Sequence, residues 1–332
     1  MSDQHHETQT GFVYKKLPGT YYVESGGRTV VCAISSKLRK VLLLPPRDPK
    51  SLPYYRVYAV ADIKSIDPVA IGDEVRFVEG LNAGGDDTQR VNLIVEVLPR
   101  RNALMRLATD QRKLQQVVVA NVDQVVAVIA GAKPVPDLIM LDRFLAMAEA
   151  SDIPALICIT KADQPFRDYV TQAINAYRRI GYTVIETSAL DGRGVAEVRA
   201  AISGQRSAFV GMSGVGKTSL LNAVQPELGL RVNAVNQRTG EGRHTTSHLE
   251  MFALESGGAI VDTPGMREFA LWEIEGNELA LLFREMNPLV GTCKFGADCQ
   301  HVHEPGCAIK QAVEAGEIAE SRYRSYVKIL TK

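Results

Sequence analysis

One segment of the chain has the composition of a phosphate-binding loop. Residues 211–218 follow the pattern G-x-x-x-x-G-K-[ST], which lets backbone N–H groups curl around phosphate oxygens. A strand-like run precedes the segment and a helix-like run follows it. The pattern predicts a nucleoside triphosphate site in which Lys217 reaches the β- and γ-phosphates and Thr218 coordinates Mg²⁺. The residues assigned to this loop are Gly211, Met212, Ser213, Gly214, Val215, Gly216, Lys217, Thr218 and Ser219.

A second segment, residues 262–265 (DTPG), ends the apolar run AIV. An aspartate at a strand tip beside a phosphate loop, here Asp262, can hold Mg²⁺ through a water. The backbone N–H of Gly265 can then sense the γ-phosphate. Alone, these four residues predict only a turn that ends a strand, but with the phosphate loop they favour a sensor of the third phosphate.

A third segment, residues 160–163 (TKAD), ends the buried run ALICI. The Asp163 carboxylate can accept two hydrogen bonds from the ring N–H and amino group of guanine, a pair that adenine lacks, and the Lys161 stem can cover the purine. The alternative is that Asp163 only caps the following helix. A backbone N–H in residues 188–190 (SAL) can bind the guanine oxygen. The residues predicted to bind the base are Thr160, Lys161, Ala162, Asp163, Ser188 and Ala189.

Cysteine and histidine residues crowd into one short segment near the C-terminus. Cys293, Cys299 and Cys307 lie there beside His301 and His303, and the total of five cysteines is odd. Such a cluster in a chain of this size favours a metal over disulfides. Three thiolates and one imidazole form the ligand set of a closed, structural Zn²⁺ site, with either histidine as the nitrogen ligand. The alternative is a redox-active cysteine cluster.

Composition and charge limit the class of protein. The 332 residues include 38 Lys and Arg and 38 Asp and Glu, so a protein that coats nucleic acid non-specifically is excluded. The first ten residues do not resemble a signal peptide. The longest apolar stretch, residues 125–132, is far shorter than the roughly 20 residues that span a bilayer. We therefore expect a soluble, cytoplasmic protein in which Cys32 and Cys158, which lie in apolar runs, are buried.

The order of strand-like and helix-like patterns predicts three regions. Residues 11–99 contain short strands separated by turns, which favour a small barrel or sandwich. On charge alone, the basic residues between 99 and 113 predict a solvated linker. From residue 117 to about 264, buried strands alternate with helices, a pattern typical of a mostly parallel sheet covered on both faces. The remainder is mostly helical.

The order of the three nucleotide-binding segments along the chain indicates more closely which kind of protein this is. In an ordinary GTPase the phosphate loop comes first and the base reader later, whereas here TKAD and SAL precede the phosphate loop and DTPG follows it. This circularly permuted chain resembles the RsgA (YjeQ/YloQ) family of ribosome-associated GTPases. The resemblance includes IGDEV, VLPRRNALMR, NVDQVVAVIA, GRHTT and HVHEPGCAIKQAVEAGEI. It implies a multidomain fold: an N-terminal OB-fold β-barrel (1–104), a central α/β P-loop GTPase domain (105–275) and a mostly helical zinc-binding domain (276–332).

Hydrolysis needs a group that orients the attacking water, and many GTPases carry a glutamine directly after the DxxG segment. Here that position is Met266, which cannot form a useful hydrogen bond. His244 is the candidate instead, because its ordinary pKa of about 6.5 suits this task and the resemblance implies a histidine there. Thr246, or Thr245, is expected to contact Mg²⁺. Arg243 is expected to stabilise phosphoryl charge or to contact RNA.

The resemblance also implies ligands and partners. It makes Cys293, Cys299, His301 and Cys307 the ligands of one structural Zn²⁺, and it implies Mg²⁺ with GTP or GDP, held by Thr218, Thr246 and Asp262. We expect a monomeric GTPase that binds the small ribosomal subunit and its 16S rRNA and does not bind a membrane. It would act in late assembly, be stimulated by the subunit and be released by hydrolysis. Contacts to rRNA are expected from Arg100, Arg101 and Arg106. The alternatives are a nucleotide-gated RNA-binding module and an ATPase of another class.

Overall fold

The computed structural model describes residues 8–35, 38, 68–82, 90–107, 115–230, 250–262 and 276–331. The first five strands form a closed barrel in the order β1-β2-β3-β5-β4, and β4 pairs back with β1. All neighbours are antiparallel except β3 and β5, which are parallel. This arrangement confirms the predicted OB-type barrel. The strands are β1 Thr8–Leu17, β2 Thr20–Ser25, β3 Arg28–Ile34, β4 Glu74–Asn82 and β5 Arg90–Val97.

The barrel is filled by the apolar side chains that alternate along its strands. Val13, Val23, Phe77 and Ile94 are fully buried there, as the two-residue period of a strand requires. Cys32 is buried on β3, and burial raises the pKa of its thiol to about 12. This thiol is therefore a core side chain, as predicted.

A β-hairpin follows the barrel where the charge pattern predicts a linker. Strands β6 (Ala103–Leu107) and β7 (Gln115–Ala120) pair in antiparallel register. Ala103 and Leu104 of β6 are both buried, which is not the environment of a solvated segment. The interpretation as a solvated linker is therefore wrong for the residues of β6.

The central sheet has the strand order β10-β9-β8-β11-β13-β12. Its first five strands are parallel and only β12 is antiparallel. The strands are β8 Gln124–Ala130, β9 Ala155–Thr160, β10 Thr183–Glu186, β11 Gln205–Val210, β12 Glu250–Ala253 and β13 Gly258–Asp262. The helices between them are α1 Leu138–Ala150, α2 Asp168–Arg179, α3 Val195–Ile202 and α4 Lys217–Val224.

Helices cover both faces of this sheet, as predicted. On β8, Val125 and Ala127 face the helices α1 and α2, whereas Val126 and Val128 face α3 and α4. Cys158 is fully buried on β9, and burial raises the pKa of its thiol to about 12. The barrel joins the sheet through one pairing between β1 and β12, where Lys15 lies opposite Glu250 and forms an ion pair of 3.0 Å.

The C-terminal region is a small helical module against α1. Its helices are α5 Gly276–Leu281, α6 Ala308–Glu314 and α7 Glu320–Leu330. Its core contains Phe283 and Tyr326, whose rings meet edge to face at 5.7 Å, and Ala146 of α1 belongs to the same cluster. Across the described part of the chain, no helix combines the length and the apolar character needed to cross a membrane.

Candidate nucleotide site and metal cluster

The phosphate loop connects the end of β11 to the start of α4. Gly211 approaches β8 so closely that an added Cβ would lie 2.4 Å from the carbonyl oxygen of Val128. Gly214 and Gly216 have φ angles of +79° and +101°, which favour glycine. The N-cap residue of α4 is Gly216, which has no side chain to cap the first turn, so among the described residues its N–H groups and the helix dipole remain available for phosphate.

Two buried charges meet at this loop. The Lys217 ammonium donates hydrogen bonds to the carbonyl oxygens of Gly211 at 2.7 Å and Met212 at 3.3 Å. The Asp262 side chain lies at the end of β13, and its Oδ1 has no hydrogen-bond partner among the described residues. Burial raises the pKa of Asp262, which Lys217 opposes, and burial lowers the pKa of Lys217, which Asp262 opposes. A buried carboxylate oxygen without a partner fits a site for a hydrated cation next to phosphate.

The segment 160–163 contacts the phosphate loop directly. The buried Thr160 hydroxyl donates its hydrogen bond to the carbonyl oxygen of Val215, and the carbonyl oxygen of Ile129 lies 3.3 Å from it. The Lys161 ammonium donates to the carbonyl oxygens of Lys133 and, at 3.3 Å, Gly214. Burial lowers the pKa of Lys161, and Asp163 acts in the opposite direction. Thr160 therefore supports the back of the phosphate loop, a role distinct from contact with a base.

The structure also brings the two predicted base-reading segments together. The Ala162 N–H donates a hydrogen bond to the carbonyl oxygen of Thr187 at 3.0 Å. The buried Ser188 hydroxyl accepts hydrogen bonds from the N–H groups of Leu190 at 3.2 Å and Asp191 at 3.3 Å. Asp163 and Ala189 are exposed at this rim. The loops after β9, β10 and β11 and the end of β13 at Asp262 thus lie at one edge of the sheet, where a nucleotide can contact all of them.

Several predicted residues cannot be placed in this arrangement. His244, Thr245, Thr246, Arg243 and Gly265 lie outside the described residues. Thr218 and Ser219 lie half-buried in the first turn of α4, as the phosphate-loop pattern predicts.

The four predicted metal ligands converge in the C-terminal module. The ligand atoms of Cys293, Cys299, His301 and Cys307 all lie within 4.8 Å of one another, and all four residues are buried. The His301 Nδ1 lies 3.4 Å from the Sγ atoms of both Cys293 and Cys307, and these sulfurs are 3.9 Å apart. His303 is exposed and lies outside the cluster, so His301 is the nitrogen ligand that the geometry supports.

The distances among the ligand atoms of His301, Cys293 and Cys307 fit a tetrahedral ion. With Zn–S of about 2.3 Å and Zn–N of about 2.0–2.1 Å, a tetrahedron has edges of about 3.8 Å between sulfurs and about 3.5 Å between sulfur and nitrogen. Burial raises the pKa of Cys299 to about 12, so the cluster needs a cation to hold it as thiolates. The Ala308 N–H points to the Cys293 sulfur at 3.3 Å, and Tyr323 donates a hydrogen bond to the His301 carbonyl oxygen at 2.8 Å. The donor set and its surroundings therefore fit one metal ion.

The three arginines predicted to contact rRNA differ in their environment. Arg100 forms a buried, bidentate ion pair with Asp73, with distances of 2.6 and 2.7 Å, and also donates to the carbonyl oxygen of Pro68. Its side chain is 3% exposed and cannot reach an RNA backbone, so this prediction is corrected to a structural role. Arg101 is 60% exposed and pairs with Asp123 at 2.7 Å. The side chain of Arg106 lies outside the described residues.

A family model described as RsgA GTPase matches residues 97–272. The chain is 39% identical over 324 residues to the "Small ribosomal subunit biogenesis GTPase RsgA" of Moorella thermoacetica, a match that covers 97% of this chain and 96% of that relative. The chain belongs to the RsgA GTPase family. The predicted family and the predicted GTPase activity are thereby confirmed.

Two solved structures agree with this assignment. The YjeQ structure from Thermotoga maritima is 31% identical, has a TM-score of 0.69 and matches 98% of both chains. The structure of YloQ, described as a circularly permuted GTPase, is 30% identical, has a TM-score of 0.62 and matches 100% of this chain and 96% of the other. The predicted three-part fold, with a barrel, a permuted P-loop domain and a Cys/His module, is confirmed. The residue boundaries between its parts stay predictions.

Proposed function

We propose that this protein hydrolyses GTP while bound to the small ribosomal subunit, acts late in the assembly of that subunit, and is released after hydrolysis. The observation that carries the proposal is the meeting of a phosphate loop, with Lys217 and Asp262, and a base-reading edge, with Asp163, at one end of the sheet. The ribosomal part rests on relatives named as small ribosomal subunit biogenesis GTPases.

The residues at the phosphate end have separable tasks. Lys217 is held at the mouth of the loop by two carbonyl oxygens, so its charge faces the position of the β- and γ-phosphates. Thr218 and Asp262, together with Thr246, would hold Mg²⁺, which supplies positive charge to the phosphate oxygens. Asp262 has an oxygen free for this purpose among the described residues. The Gly265 N–H would sense whether the γ-phosphate is present.

The residues at the base end supply selectivity. The exposed Asp163 carboxylate would accept the two guanine hydrogen bonds, and a backbone N–H near Ala189 would bind the guanine oxygen. Lys161 is held over the loop by its bonds to Gly214 and Lys133, which leaves its stem beside the purine. Thr160 and Lys161 both bind the phosphate loop, so the segment that is proposed to read the base also holds the loop that is proposed to bind the phosphates.

Hydrolysis itself would depend on His244, which we propose orients the attacking water because Met266 cannot. A histidine titrates near neutrality and can hold or accept a proton at that position. Arg243 would stabilise the phosphoryl charge or contact RNA.

The remaining ligands complete the proposal. We propose Zn²⁺ as the ion of the Cys/His cluster, in a structural role, because four protein ligands leave no open position. The barrel, Arg101 and Arg106 would contact 16S rRNA, in the cytoplasm, and the chain would act as a monomer. Arg100 is not part of this surface.

The experiment is GTP turnover by the purified protein, with and without isolated small ribosomal subunits, and with ATP as a second substrate. We expect strong stimulation with GTP only, and its loss in His244→Ala. The matched control is His303→Ala, which changes an exposed histidine outside the ligand set. Tight subunit binding with no stimulated turnover would contradict the proposal and favour a nucleotide-gated binding module. Equal turnover of ATP would contradict the base assignment.

A further inference from the structure

Arg193 connects the two loops that are proposed to read the base. Its Nη1 donates a hydrogen bond to the carbonyl oxygen of Ala162 at 2.5 Å, and its own carbonyl oxygen accepts one from the Ser188 N–H at 2.9 Å. We propose that Arg193 is a positioning residue for guanine recognition, acting through the peptide that precedes Asp163. This inference rests on the proposed function, in which Asp163 reads the base.

The bond to Ala162 acts on Asp163 through the covalent geometry of the chain. The Ala162 carbonyl and the Asp163 N–H belong to one planar peptide unit, so a hydrogen bond to the carbonyl orients the whole plane. The Ala162 N–H is also held, since it donates to the Thr187 carbonyl oxygen at 3.0 Å. Both peptide units of Ala162 are therefore bonded to the second loop, and neither can rotate without losing a hydrogen bond.

Orientation matters here because Asp163 must make two hydrogen bonds at once. A carboxylate that accepts from two neighbouring donors of guanine has to lie in the plane of the base, and a small rotation weakens both bonds. Adenine nucleotides gain nothing from this alignment, because adenine lacks that donor pair. The contribution of Arg193 should therefore appear in affinity for guanine nucleotides and be absent for adenine nucleotides.

The guanidinium is itself held in place. Asp191 lies 3.5 Å from its Nη2 and accepts a hydrogen bond from the Arg193 N–H at 3.0 Å. The following residue, Gly194, has a φ of +68°, and an added Cβ would lie 2.2 Å from the Glu186 carbonyl oxygen. Because Gly194 lies against the end of β10, the preceding residue, Arg193, faces the segment 160–163. Because the Arg193 side chain is 58% exposed, solvent competes for its bond and the effect should be moderate.

The test compares GDP and ADP affinities in Arg193→Ala, Arg193→Lys and a control variant, with each dissociation constant measured by calorimetry. We expect Arg193→Ala to weaken GDP binding by about three- to tenfold and to leave ADP binding unchanged. Arg193→Lys, which retains a charged donor, should recover part of the loss. The control is Arg199→Ala, since Arg199 also donates to a carbonyl oxygen, that of Val224 at 2.6 Å, but at the far end of α4. It should change neither affinity.

Two outcomes would overturn the inference: unchanged GDP affinity in Arg193→Ala, or an equal loss for GDP and ADP, which would indicate a general disturbance of the fold. A parallel variant, Asp163→Asn, separates this failure from failure of the proposed function. If Asp163→Asn shifts preference from guanine to xanthine nucleotides while Arg193→Ala has no effect, only the role of Arg193 is wrong. If Asp163→Asn does not shift the preference, the base-reading site itself is wrong, and the role of Arg193 is overturned with it.

Discussion

Replacing Arg322 with alanine should destabilise the contact between the GTPase domain and the C-terminal module by about 3–5 kcal/mol, because it leaves buried carboxylates without their cation. Arg322 on α7 donates to Asp142 of α1 at 2.5 Å and to Glu285 at 2.6 Å. Their side chains are 1–7% exposed, so water cannot replace the lost partner. Tyr177 of α2 donates to the same Asp142 oxygen at 2.6 Å.

The predicted loss of stability in Arg322→Ala comes more from the uncompensated charge than from lost packing. A triple variant, Arg322→Met with Asp142→Asn and Glu285→Gln, leaves no buried charge and should therefore recover most of the stability lost in the single variant. The guanidinium also lies 4.4 Å from the centroid of the Phe283 ring, and methionine keeps part of that contact. Arg322→Met alone fills the same space but leaves both carboxylates without a cation, so the stability of the triple variant above that of Arg322→Met measures the uncompensated charge.

Urea unfolding followed by circular dichroism measures the loss, and hydrogen exchange in α1 and α7 locates it, since a chain of several domains need not unfold in one step. The control is Arg324→Ala on the same helix, whose exposed pair with Glu320 is worth about 0.3–0.5 kcal/mol. A change below about 1 kcal/mol in Arg322→Ala, or a triple variant no more stable than the single one, would refute the reasoning.

Three further results are expected. Burial raises the pKa of Asp262, so its ionisation lowers the unfolding free energy of the nucleotide-free protein as pH rises. Asp262→Asn should make this fall with pH smaller, measured by urea melts at several pH values, and should remove GTP turnover. Chelation, or Cys299→Ala, should remove one metal ion per chain, measured by mass spectrometry, and lower the melting temperature of the module. Thr160→Val should weaken GDP binding about three- to tenfold in calorimetry by removing the bond to Val215, whereas Thr160→Ser should not.

The nucleotide loops are the part of this molecule that sequence predicts best. A phosphate loop needs glycines, a lysine and a threonine at fixed spacing within eight residues, so the local pattern contains the geometry. The Cys/His cluster is similar, since all four ligands lie within fifteen residues, 293–307. The choice between His301 and His303, which spacing leaves open, is decided by burial, which places only His301 among the sulfurs.

Contacts between distant residues could not be predicted in this way. Thr160 binds the phosphate loop 55 residues further along the chain, and Arg193 binds a carbonyl 31 residues earlier. Arg100 looks like a surface charge in a basic run until Asp73, 27 residues earlier, is found beside it in the barrel. The same run hides β6, because its arginines predict a solvated segment on charge alone.

Circular permutation leaves the nucleotide site intact because the site depends on one sheet edge, where the parallel strands β9, β10, β11 and β13 all end. The order in which the chain visits them does not affect that edge. Permutation does change the region that DTPG leads into, which is here the C-terminal module. Helix α1 is a second connection between the nucleotide site and the C-terminal module. Asp137 caps the start of this helix beside a cavity of about 220 Å³, which is lined by Met212 and Ser213 of the phosphate loop. Asp142, about 7–8 Å along the same helix, binds Arg322, and Glu149 at its other end binds Arg284 at 2.6 Å, so two ion pairs join the module to the helix that starts beside the phosphate loop.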